Sequence, residues 1–484
     1  MTQYYRTRVL SSIAGVVVAT GVLFSPAAPN LAITTNAHSE ARQRPVSYAD
    51  IVDKVKPAVI SLRVKVDGEA VTVDDGRPIS GNSPLRRLSR RFGKSDYLQG
   101  SSNPRDRNLM IKQGSGFFIS ADGYAVTNGH VVENTKATEI TTDAGKSYSA
   151  KVIGIDLRTD IALIKVEGTG FPFVKFAEGN PRVGDLVLAI GNPFGLEGTV
   201  TAGIVSARGR GEGPYEDFLQ IDASVNRGNS GGPSFDMDGN VIGVNTAILT
   251  PSGGSVGVAF AVPAEIVKGV VTQLKGRGVV SRGWIGVETQ DITTEIADCL
   301  GLNEQRGALV AEPQVNGPAA KAGIEVGDVI TAVNGKEISE SRELVRTIGR
   351  MSPGTRAQLA ISRRGQDKTV SLTLGALPDQ QREMKPSFEV PRQRGTNLPQ
   401  LGLRVAPRSG VEGLAISDVK PDGIAAARGL QNGDVIVEVV GKKISSVTDL
   451  RRAVEAAQQG KRWVLLRIKS GDATEFVALP IGHG

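Results

Sequence analysis

The run GNSGGP at positions 228–233 combines the hydroxyl of Ser230 with glycines on both sides. Such glycines allow a tight turn that exposes a serine side chain while neighbouring backbone N–H groups converge on one point. This geometry is typical of an oxyanion hole, although a plain turn fits the same letters. A serine hydroxyl is a weak nucleophile unless a base removes its proton, so the interpretation depends on a suitable histidine.

The chain contains only three histidines, and two of them, His38 and His483, lie far from any predicted core. The third, His130, lies in the run TNGHVV at the end of a strand-like stretch. A lone histidine often has only a structural role. Its scarcity here nevertheless favours His130 as the base.

A serine–histidine pair needs a carboxylate that holds the imidazole in the correct tautomer. Asp160 is the best candidate because the apolar strand IALIKV begins immediately after it and could root the carboxylate in a core. The alternative is an ordinary solvated aspartate at a strand start. Ser230, His130 and Asp160 together predict nucleophilic catalysis of acyl transfer.

The elements that must position these residues read as β-structure. Apolar and polar residues alternate from Ile60 to Val66, and short apolar runs separated by Gly, Pro, Asn and Asp recur over 114–262. Many short strands without intervening helices predict a sandwich or barrel. A helical pattern from Ile266 to Leu274, followed by Gly276, closes this first unit.

The segment 67–112 shows no sustained period and contains the basic run SPLRRLSRRFG. A long irregular insertion inside a domain is usually functional or disordered. The basic run has a weak amphipathic pattern that allows membrane contact, but a solvated loop or a subunit contact is favoured.

An internal repeat organises the last part of the chain. Residues 317–339 align with 423–445 without a gap, and the two segments are identical at 13 of 23 positions. Two copies of one domain therefore follow the first unit. Residues 378–398 between them are polar and rich in Pro, Gln and Arg, which is typical of a flexible linker and predicts independently mobile copies.

Composition excludes several classes. The chain of 484 residues has 57 Lys and Arg against 50 Asp and Glu, and a net charge of +7 is too small for nucleic acid to be an expected partner. Cys299 is the single cysteine, so no internal disulfide and no Cys/His metal cluster is expected. We expect no metal and no cofactor.

The amino terminus reads as a secretory signal peptide over residues 1–37. Arg6 and Arg8 precede an apolar stretch and a run of small residues, and no acidic residue occurs before Glu40. An uncleaved membrane anchor is the alternative, but a span needs about 20 apolar residues.

The order His130, Asp160, Ser230, with TNGHVV, DLRTDIALIKV and NRGNSGGP, resembles the trypsin-fold serine proteases of the HtrA group, and the repeated tail resembles its DegP/DegQ-type members. The resemblance covers about residues 45–484. It implies a mainly β fold, a trypsin-like double β-barrel over 45–277 that includes the long loop 67–112. Two PDZ domains over 281–377 and 399–484 would follow, with 378–398 as the linker.

The resemblance also implies roles for individual residues. Ser230 would be the nucleophile, His130 the general base and then acid, and Asp160 the residue that orients it. The backbone N–H groups of Gly228, Asn229 and Ser230 would form the oxyanion hole. Val225 and Ile248 would be the walls of an aliphatic substrate pocket. Arg210 would be a regulatory arginine.

In a PDZ domain, a glycine-bearing loop offers backbone N–H groups to a peptide's terminal carboxylate, and the following strand edge pairs with the peptide. The first copy opens with RGWIGV, which places this loop at Trp284, Ile285, Gly286 and Val287. The second opens with LPQLGL at 398–403. A plain strand entry is the alternative, and the first copy has the better loop for peptide binding.

These observations predict an exported, ATP-independent serine endopeptidase of the periplasm that acts on unfolded or misfolded envelope proteins. Its PDZ domains would capture peptide C-termini. The competing hypothesis is a chaperone or peptide-binding scaffold with a closed or vestigial protease site. The resemblance implies trimers and larger cages.

Overall fold

A computed structural model describes the chain over 47–67, 99–100, 109–192, 198–211, 213, 215–226, 228–248, 255–302, 304–378, 395–407, 412–458, 462–471 and 473–481. The chain from Tyr48 onward forms one compact unit. None of the helices in these ranges has the length and apolar character needed to cross a bilayer. The predicted signal peptide, the run SPLRRLSRRFG and most of the predicted linker lie outside the described residues.

Helix α1 (Ala49–Val55) and a short 3₁₀ turn (Lys56–Ala58) lead into the first barrel. Its strands form a closed ring in the order β1-β5-β6-β7-β4-β3, with β1 and β3 paired and β2 added at β3. The elements are β1 (Val59–Asp67), β2 (Gln99–Gly100), β3 (Leu109–Phe118), β4 (Tyr124–Asn128), helix α2 (Gly129–Val132), β5 (Thr135–Thr142), β6 (Ser147–Asp156) and β7 (Ile161–Val166).

The predicted irregular segment 67–112 is wrong at its carboxyl end, because β3 begins at Leu109. Its residues pair with β1, as in Asp67↔Leu109. The run Leu109-Met110-Ile111 is continuously apolar and does not alternate with polar residues, so the period-2 pattern of a strand was absent there.

The second barrel is also closed, in the order β10-β13-β12-β11-β8-β9. Two six-stranded barrels confirm the trypsin-like fold that the resemblance implied. The strands are β8 (Leu186–Gly191), β9 (Thr199–Arg210), β10 (Phe218–Ile221), β11 (Pro233–Phe235), β12 (Val241–Ile248) and β13 (Ala259–Pro263).

One apolar cluster joins the two barrels. It combines Phe117 and Val126 of the first barrel with Leu188 and Val244 of the second. Burial of this shared surface stabilises the junction at roughly 25 cal/mol per Å² of apolar area and fixes the crevice between the barrels.

Helix α3 (Ala264–Arg277) closes the unit as predicted and packs its Val267 and Leu274 into the shared cluster. The helix ends two residues later than the sequence indicated, because Gly276 lies within it and Gly278 follows its last residue, Arg277. Gly278, with φ of 74°, takes the left-handed conformation of the C-cap, and its amide donates to the Leu274 carbonyl at 2.9 Å.

The first repeat is a sheet in the order β15-β16-β17-β19-β20, with β18 paired to β17 and a separate β14–β21 pair. Its elements are β14 (Gly283–Trp284), β15 (Val287–Gln290), α4 (Thr294–Leu300), β16 (Ala308–Pro313), α5 (Pro318–Lys321), β17 (Val329–Val333), β18 (Lys336–Glu337), α6 (Ser341–Arg350), β19 (Arg356–Arg363), β20 (Gln366–Thr373) and β21 (Gly375–Ala376).

The second repeat has the same plan with one added strand, in the order β22-β23-β24-β25-β27-β28, and β26 pairs with β25. Its elements are β22 (Thr396–Leu398), β23 (Leu403–Pro407), β24 (Leu414–Val419), α7 (Ile424–Ala427), β25 (Val435–Val439), β26 (Lys442–Lys443), α8 (Val447–Gln458), β27 (Trp463–Ser470) and β28 (Ala473–Pro480).

The two repeats pack on each other, so the prediction of independent motion is wrong. Ile296 of α4 and Leu309 of β16 share a buried apolar cluster with Phe476 of β28. The Gln290 side chain donates to the Phe476 carbonyl at 3.0 Å and accepts from its amide at 2.6 Å. Linker composition carries no information about these distant apolar faces.

An ion pair borders this contact. Arg428 donates to Glu295 at 2.9 Å. Hydrogen bonds from the Thr293 hydroxyl and the Glu295 amide, together with the Arg428 guanidinium, lower the pKa of Glu295 to about 2. The carboxylate is therefore charged at neutral pH, and the pair adds polar complementarity at the edge of the apolar cluster.

Candidate active site between the two barrels

Ser230 lies in the loop between β10 and β11. The loop is tied to β12 because Gly231 donates to the Asn245 carbonyl at 2.8 Å and Asn245 donates to the Gly232 carbonyl at 2.9 Å. Gly231 has φ of 86°, and a Cβ there would lie 2.2 Å from the Ser115 carbonyl oxygen. Only glycine fits this position, so the glycine after Ser230 is required by backbone conformation and by space.

His130 lies in the single turn of α2, directly after β4. Its backbone amide donates to Asp160 Oδ1 at 2.9 Å, and its ring Nδ1 lies 2.8 Å from Asp160 Oδ2. One carboxylate thus holds both the main chain and the ring of His130. A bond at Nδ1 selects the tautomer whose Nε2 accepts a proton.

Asp160 is buried and has φ of 58°, a left-handed conformation that is uncommon outside glycine. The turn is fixed by its own carbonyl, which accepts from the Gly129 amide at 3.0 Å and from the Asn128 side chain at 2.9 Å. Backbone strain of this kind persists only where the surroundings hold it, and it is common at functional sites.

Thr246, on β12, connects the carboxylate to the serine. Its hydroxyl donates to Asp160 Oδ2 at 2.6 Å, while its carbonyl oxygen lies 3.5 Å from Ser230 Oγ. No motif in the sequence indicates this residue, because it is a single threonine inside an apolar strand. Strands β4, β7 and β12 therefore bring His130, Asp160 and the Ser230 loop to one place.

Ser115, on β3, is a second residue that sequence reasoning missed. It is completely buried. Its hydroxyl donates to the Gly228 carbonyl at 2.6 Å and accepts from the Asn192 amide at 2.8 Å, while its own amide donates to the Ser230 carbonyl at 2.8 Å. A residue of the first barrel thus holds the serine loop of the second.

Lys112 supports the His130 turn. Its ammonium donates to the His130 carbonyl at 3.2 Å and to the Glu133 carbonyl at 3.4 Å. Burial lowers the pKa of Lys112, and the charge of Glu133 opposes that shift. A cation near the carbonyl end of this turn stabilises its unsatisfied acceptors.

The three backbone groups predicted to form the oxyanion hole are not equivalent. The Asn229 amide donates to the Asn226 carbonyl at 3.1 Å. Gly228 has φ of 93°, and the Ser115 hydroxyl fixes its carbonyl. In this conformation the amides of Gly228 and Ser230 are the two candidates for an oxyanion.

Val225 and Ile248, the predicted pocket walls, belong to one apolar cluster inside the second barrel. Val225 is buried and Ile248 is half-buried. Their apolar neighbours in this cluster are aliphatic and include Val187 and Ile221.

Arg210 ends β9 and is exposed. The residues that reach the first repeat lie just beyond it. Arg342 of α6 donates to the Glu216 carbonyl, and Arg346 lies 3.5 Å from the Asp217 carboxylate. The spacing of arginines along α6 signals this contact in retrospect, although the sequence alone does not name their partners.

A buried ion pair anchors the start of the first repeat. Arg282 donates to both Asp156 oxygens, at 2.9 and 2.5 Å, and its guanidinium stacks over the Tyr215 ring at 4.9 Å. Burial raises the pKa of Tyr215, and the nearby charge of Arg282 opposes this. The Thr159 hydroxyl also donates to Asp156, next to Asp160.

The predicted peptide loop of the first repeat has a PDZ-like conformation. Gly286 has φ of 75°, and a Cβ there would lie 2.9 Å from the Trp284 ring. Ile285 is buried, and Val287 begins the edge strand β15. Two closed barrels followed by two such repeats define a trypsin-fold serine peptidase with PDZ domains.

Comparisons agree with this class. A trypsin-like peptidase domain matches residues 114–244, and PDZ domains match 283–374 and 390–469. A probable periplasmic serine endoprotease DegP-like of Brucella melitensis is 46% identical over 498 residues, covering 98% of this chain and 96% of the relative. One of Rhizobium meliloti is 42% identical, covering 99% and 100%. The chain belongs to this family of DegP-like periplasmic serine endoproteases.

A solved structure described as the HtrA-type protease AlgW with decapeptide is 36% identical, with a TM-score of 0.56. It covers 69% of this chain and 100% of its own. The chain is a serine endopeptidase with PDZ domains that bind peptide or protein segments.

Proposed function

We propose that this chain is an exported, ATP-independent endopeptidase that degrades unfolded or misfolded envelope proteins through Ser230, His130 and Asp160. The observation that carries the proposal is the hydrogen-bonded line from the His130 ring through Asp160 and Thr246 to the Ser230 loop. The site residues and the substrates are inferred from this geometry and from the family.

In the proposed reaction, Ser230 Oγ attacks the carbonyl carbon of the scissile peptide while His130 Nε2 takes the hydroxyl proton. Asp160 keeps Nδ1–H oriented and stabilises the imidazolium. The amides of Gly228 and Ser230 hold the oxyanion, each contributing about 2.7–4 kcal/mol of transition-state stabilisation.

Collapse of this intermediate breaks the C–N bond, and His130 gives its proton to the leaving amine. Water then enters, with His130 again as base, and hydrolyses the acyl-enzyme to a carboxylate and free Ser230. Every step of this reaction uses only the named side chains, the backbone amides and water.

Cleavage of casein tests the nucleophile. We expect Ser230→Ala to abolish cleavage and fluorophosphonate labelling while the fold is retained. The matched control is Ser224→Ala, which changes an exposed serine six residues earlier and should leave both signals intact. Retained cleavage by Ser230→Ala would remove Ser230 from the mechanism.

The pocket residues suggest the cleavage preference. Aliphatic walls formed by Val225 and Ile248 favour small aliphatic residues such as Val or Ala before the cut, and disfavour Lys or Arg. Matched chromogenic peptides ending in Val, Ala or Lys test this, and faster release after Lys would contradict the assignment.

The PDZ loop at Trp284, Ile285, Gly286 and Val287 would capture peptide C-termini, and Arg210 with the segment after it would relay occupancy to the site. One feature favours the scaffold alternative in the resting state, because Ser230 Oγ donates to the Thr246 carbonyl oxygen at 3.5 Å. Fluorophosphonate labelling with and without a denatured substrate distinguishes a gated protease from a scaffold, because a scaffold labels in neither condition.

Export and assembly complete the proposal. A signal peptide over 1–37 would deliver the chain to the periplasm, and amino-terminal sequencing of the mature protein tests it. Trimers or larger cages are expected, and sedimentation velocity measures their size. Liposome sedimentation with and without residues 80–95 tests the weaker expectation of membrane contact.

A further inference from the structure

The two PDZ domains differ at the strand edge that a peptide would join. In the first, the edge strand β15 pairs only with β16 among the described residues. In the second, β22 already pairs antiparallel with the equivalent strand β23, with Leu398 opposite Leu403 and Asn397 opposite Arg404. An added antiparallel strand is the form in which a bound peptide extends a PDZ sheet.

The loops that would hold a terminal carboxylate differ in the same way. Gly286 and Gly402 share the left-handed conformation, with φ of 75° and 66°. Neither the Ile285 nor the Gly286 amide donates to a backbone acceptor in the described part of the chain.

In the second domain, the equivalent amides are engaged by the chain itself. Leu401 donates to the Leu398 carbonyl at 3.0 Å, and Gly402 donates to the Pro399 carbonyl at 3.1 Å. The carbonyl oxygens of Leu398, which ends β22, and of Pro399, which follows it, thus occupy the donors that a peptide carboxylate would use.

Leu398 supplies the matching side chain. It is 1% exposed and belongs to the same apolar cluster as Leu450 and Val454 of α8, the helix equivalent to the groove wall of the first domain. Its neighbour Asn397 is exposed. A strand with one buried apolar residue beside the glycine loop resembles a peptide ending in leucine.

Close packing holds the other end of this strand. A Cβ at Gly395 would lie 2.7 Å from both the Val405 carbonyl oxygen and the Ser417 hydroxyl. Only glycine allows the chain to approach the second domain this closely, so the sequence is adapted to the closed arrangement.

We infer that residues 395–398 are a built-in ligand of the second PDZ groove, and that an external peptide with an apolar C-terminal residue binds there only after this segment is displaced. The first domain is then the one open to peptides. A segment that closes the groove in about 99% of molecules weakens the apparent affinity of an external peptide by about 100-fold.

Peptide stoichiometry tests the inference in the full chain carrying Ser230→Ala, which prevents cleavage. The probe is a synthetic peptide of residues 392–398 with a free carboxylate on its terminal leucine, and its C-terminal amide is the peptide control. Calorimetric titration counts sites per chain. We expect Leu398→Asp, which removes the apolar anchor, to add one site, with affinity more than about tenfold above any second site of the parent.

Two further variants keep the test informative. Gly395→Val wedges β22 away without touching the apolar cluster and should also add one site. Asn397→Asp places the same charge as Leu398→Asp on the exposed face and should add none. The gain of one site is the measured quantity, so the result does not depend on whether the first domain binds this peptide.

Hydrogen exchange of the parent gives a readout that needs no β22 variant. The amides of Leu401 and Gly402 should be protected without peptide and unchanged by its addition. If the peptide instead increases protection at 401–403 in the parent, the groove is open and the inference fails. It also fails if both opening variants keep a folded second domain and gain no site.

Discussion

Replacing Ser115 by alanine tests how the serine loop is held. Ser115 Oγ bonds to the Gly228 carbonyl at 2.6 Å and to the Asn192 amide at 2.8 Å, in a position fully closed to solvent. Alanine removes the hydroxyl and leaves both backbone groups buried without this partner. The contact between the Ser115 amide and the Ser230 carbonyl survives, because it involves main chain only.

The magnitude follows from these two bonds. Each buried polar group that loses its partner costs about 1–3 kcal/mol, so the free energy of unfolding should fall by about 2–6 kcal/mol for the two groups. The Gly228 carbonyl shares a peptide plane with the Asn229 amide, which donates to the Asn226 carbonyl. Releasing this carbonyl loosens the turn between the Gly228 and Ser230 amides, and we expect one of these two donors to lose its position. Loss of one oxyanion donor lowers kcat by about 10²- to 10³-fold.

The assay measures kcat and KM on a chromogenic peptide, together with denaturant unfolding. We expect kcat to fall by about 10²-fold while KM changes little, because the Ser115 hydroxyl bonds the Gly228 carbonyl and the Asn192 amide and not the pocket walls Val225 and Ile248. Ser149→Ala, an exposed serine on the same barrel, is the control. A Ser115→Ala enzyme with unchanged kcat but lower stability would refute the positioning role.

Three other substitutions probe contacts around the site. Thr246→Val removes the hydroxyl bond to the Asp160 carboxylate, and we expect kcat to fall by about tenfold or more. Introduced into the Ser230→Ala background, the same substitution should leave casein binding unchanged. Arg282→Met leaves Asp156 as an uncompensated buried charge, so the free energy of unfolding should fall by about 3–5 kcal/mol in urea, whereas Arg277→Met at an exposed site should have little effect. The pKa of Glu295 is depressed to about 2 from its ordinary 4.5. Its contribution to the packing of the two PDZ domains is therefore present above pH 4.5 and is lost as pH falls towards 2. The thermal transition of Glu295→Gln should depend less on pH in this range than that of the parent.

Local sequence signals indicated the candidate site residues whose chemistry depends on their immediate neighbours. Glycines beside Ser230 are readable because their conformations admit no other residue, and Gly231 illustrates this with its positive φ. The scarcity of histidine pointed to His130, and the gapless repeat revealed two copies of one domain. The double barrel itself followed from short apolar runs and from the family resemblance.

Residues contributed by distant strands were not predictable in this way. Thr246 and Ser115 look like ordinary polar positions in β12 and β3, and only the closed barrels bring them to Asp160 and Gly228. The packing of the two PDZ domains on each other was not predictable for the same reason. The apolar face that Phe476 presents to the first PDZ domain is indistinguishable in sequence from a residue of its own core.

The first PDZ domain contacts the protease at two points that lead to the site. Arg282 binds Asp156, which also accepts from Thr159, directly before Asp160. Helix α6 contacts Glu216 and Asp217, in the segment that connects β9 to β10, the strand before the Ser230 loop.

A displacement of this domain would therefore act on the carboxylate side and on the nucleophile side together. Among the residues described, the second PDZ domain has no such pair of contacts with the protease. It packs on the first PDZ domain through Phe476, so it would have to move with that domain. We therefore expect peptide capture by the first domain, rather than by the second, to change activity at the protease site.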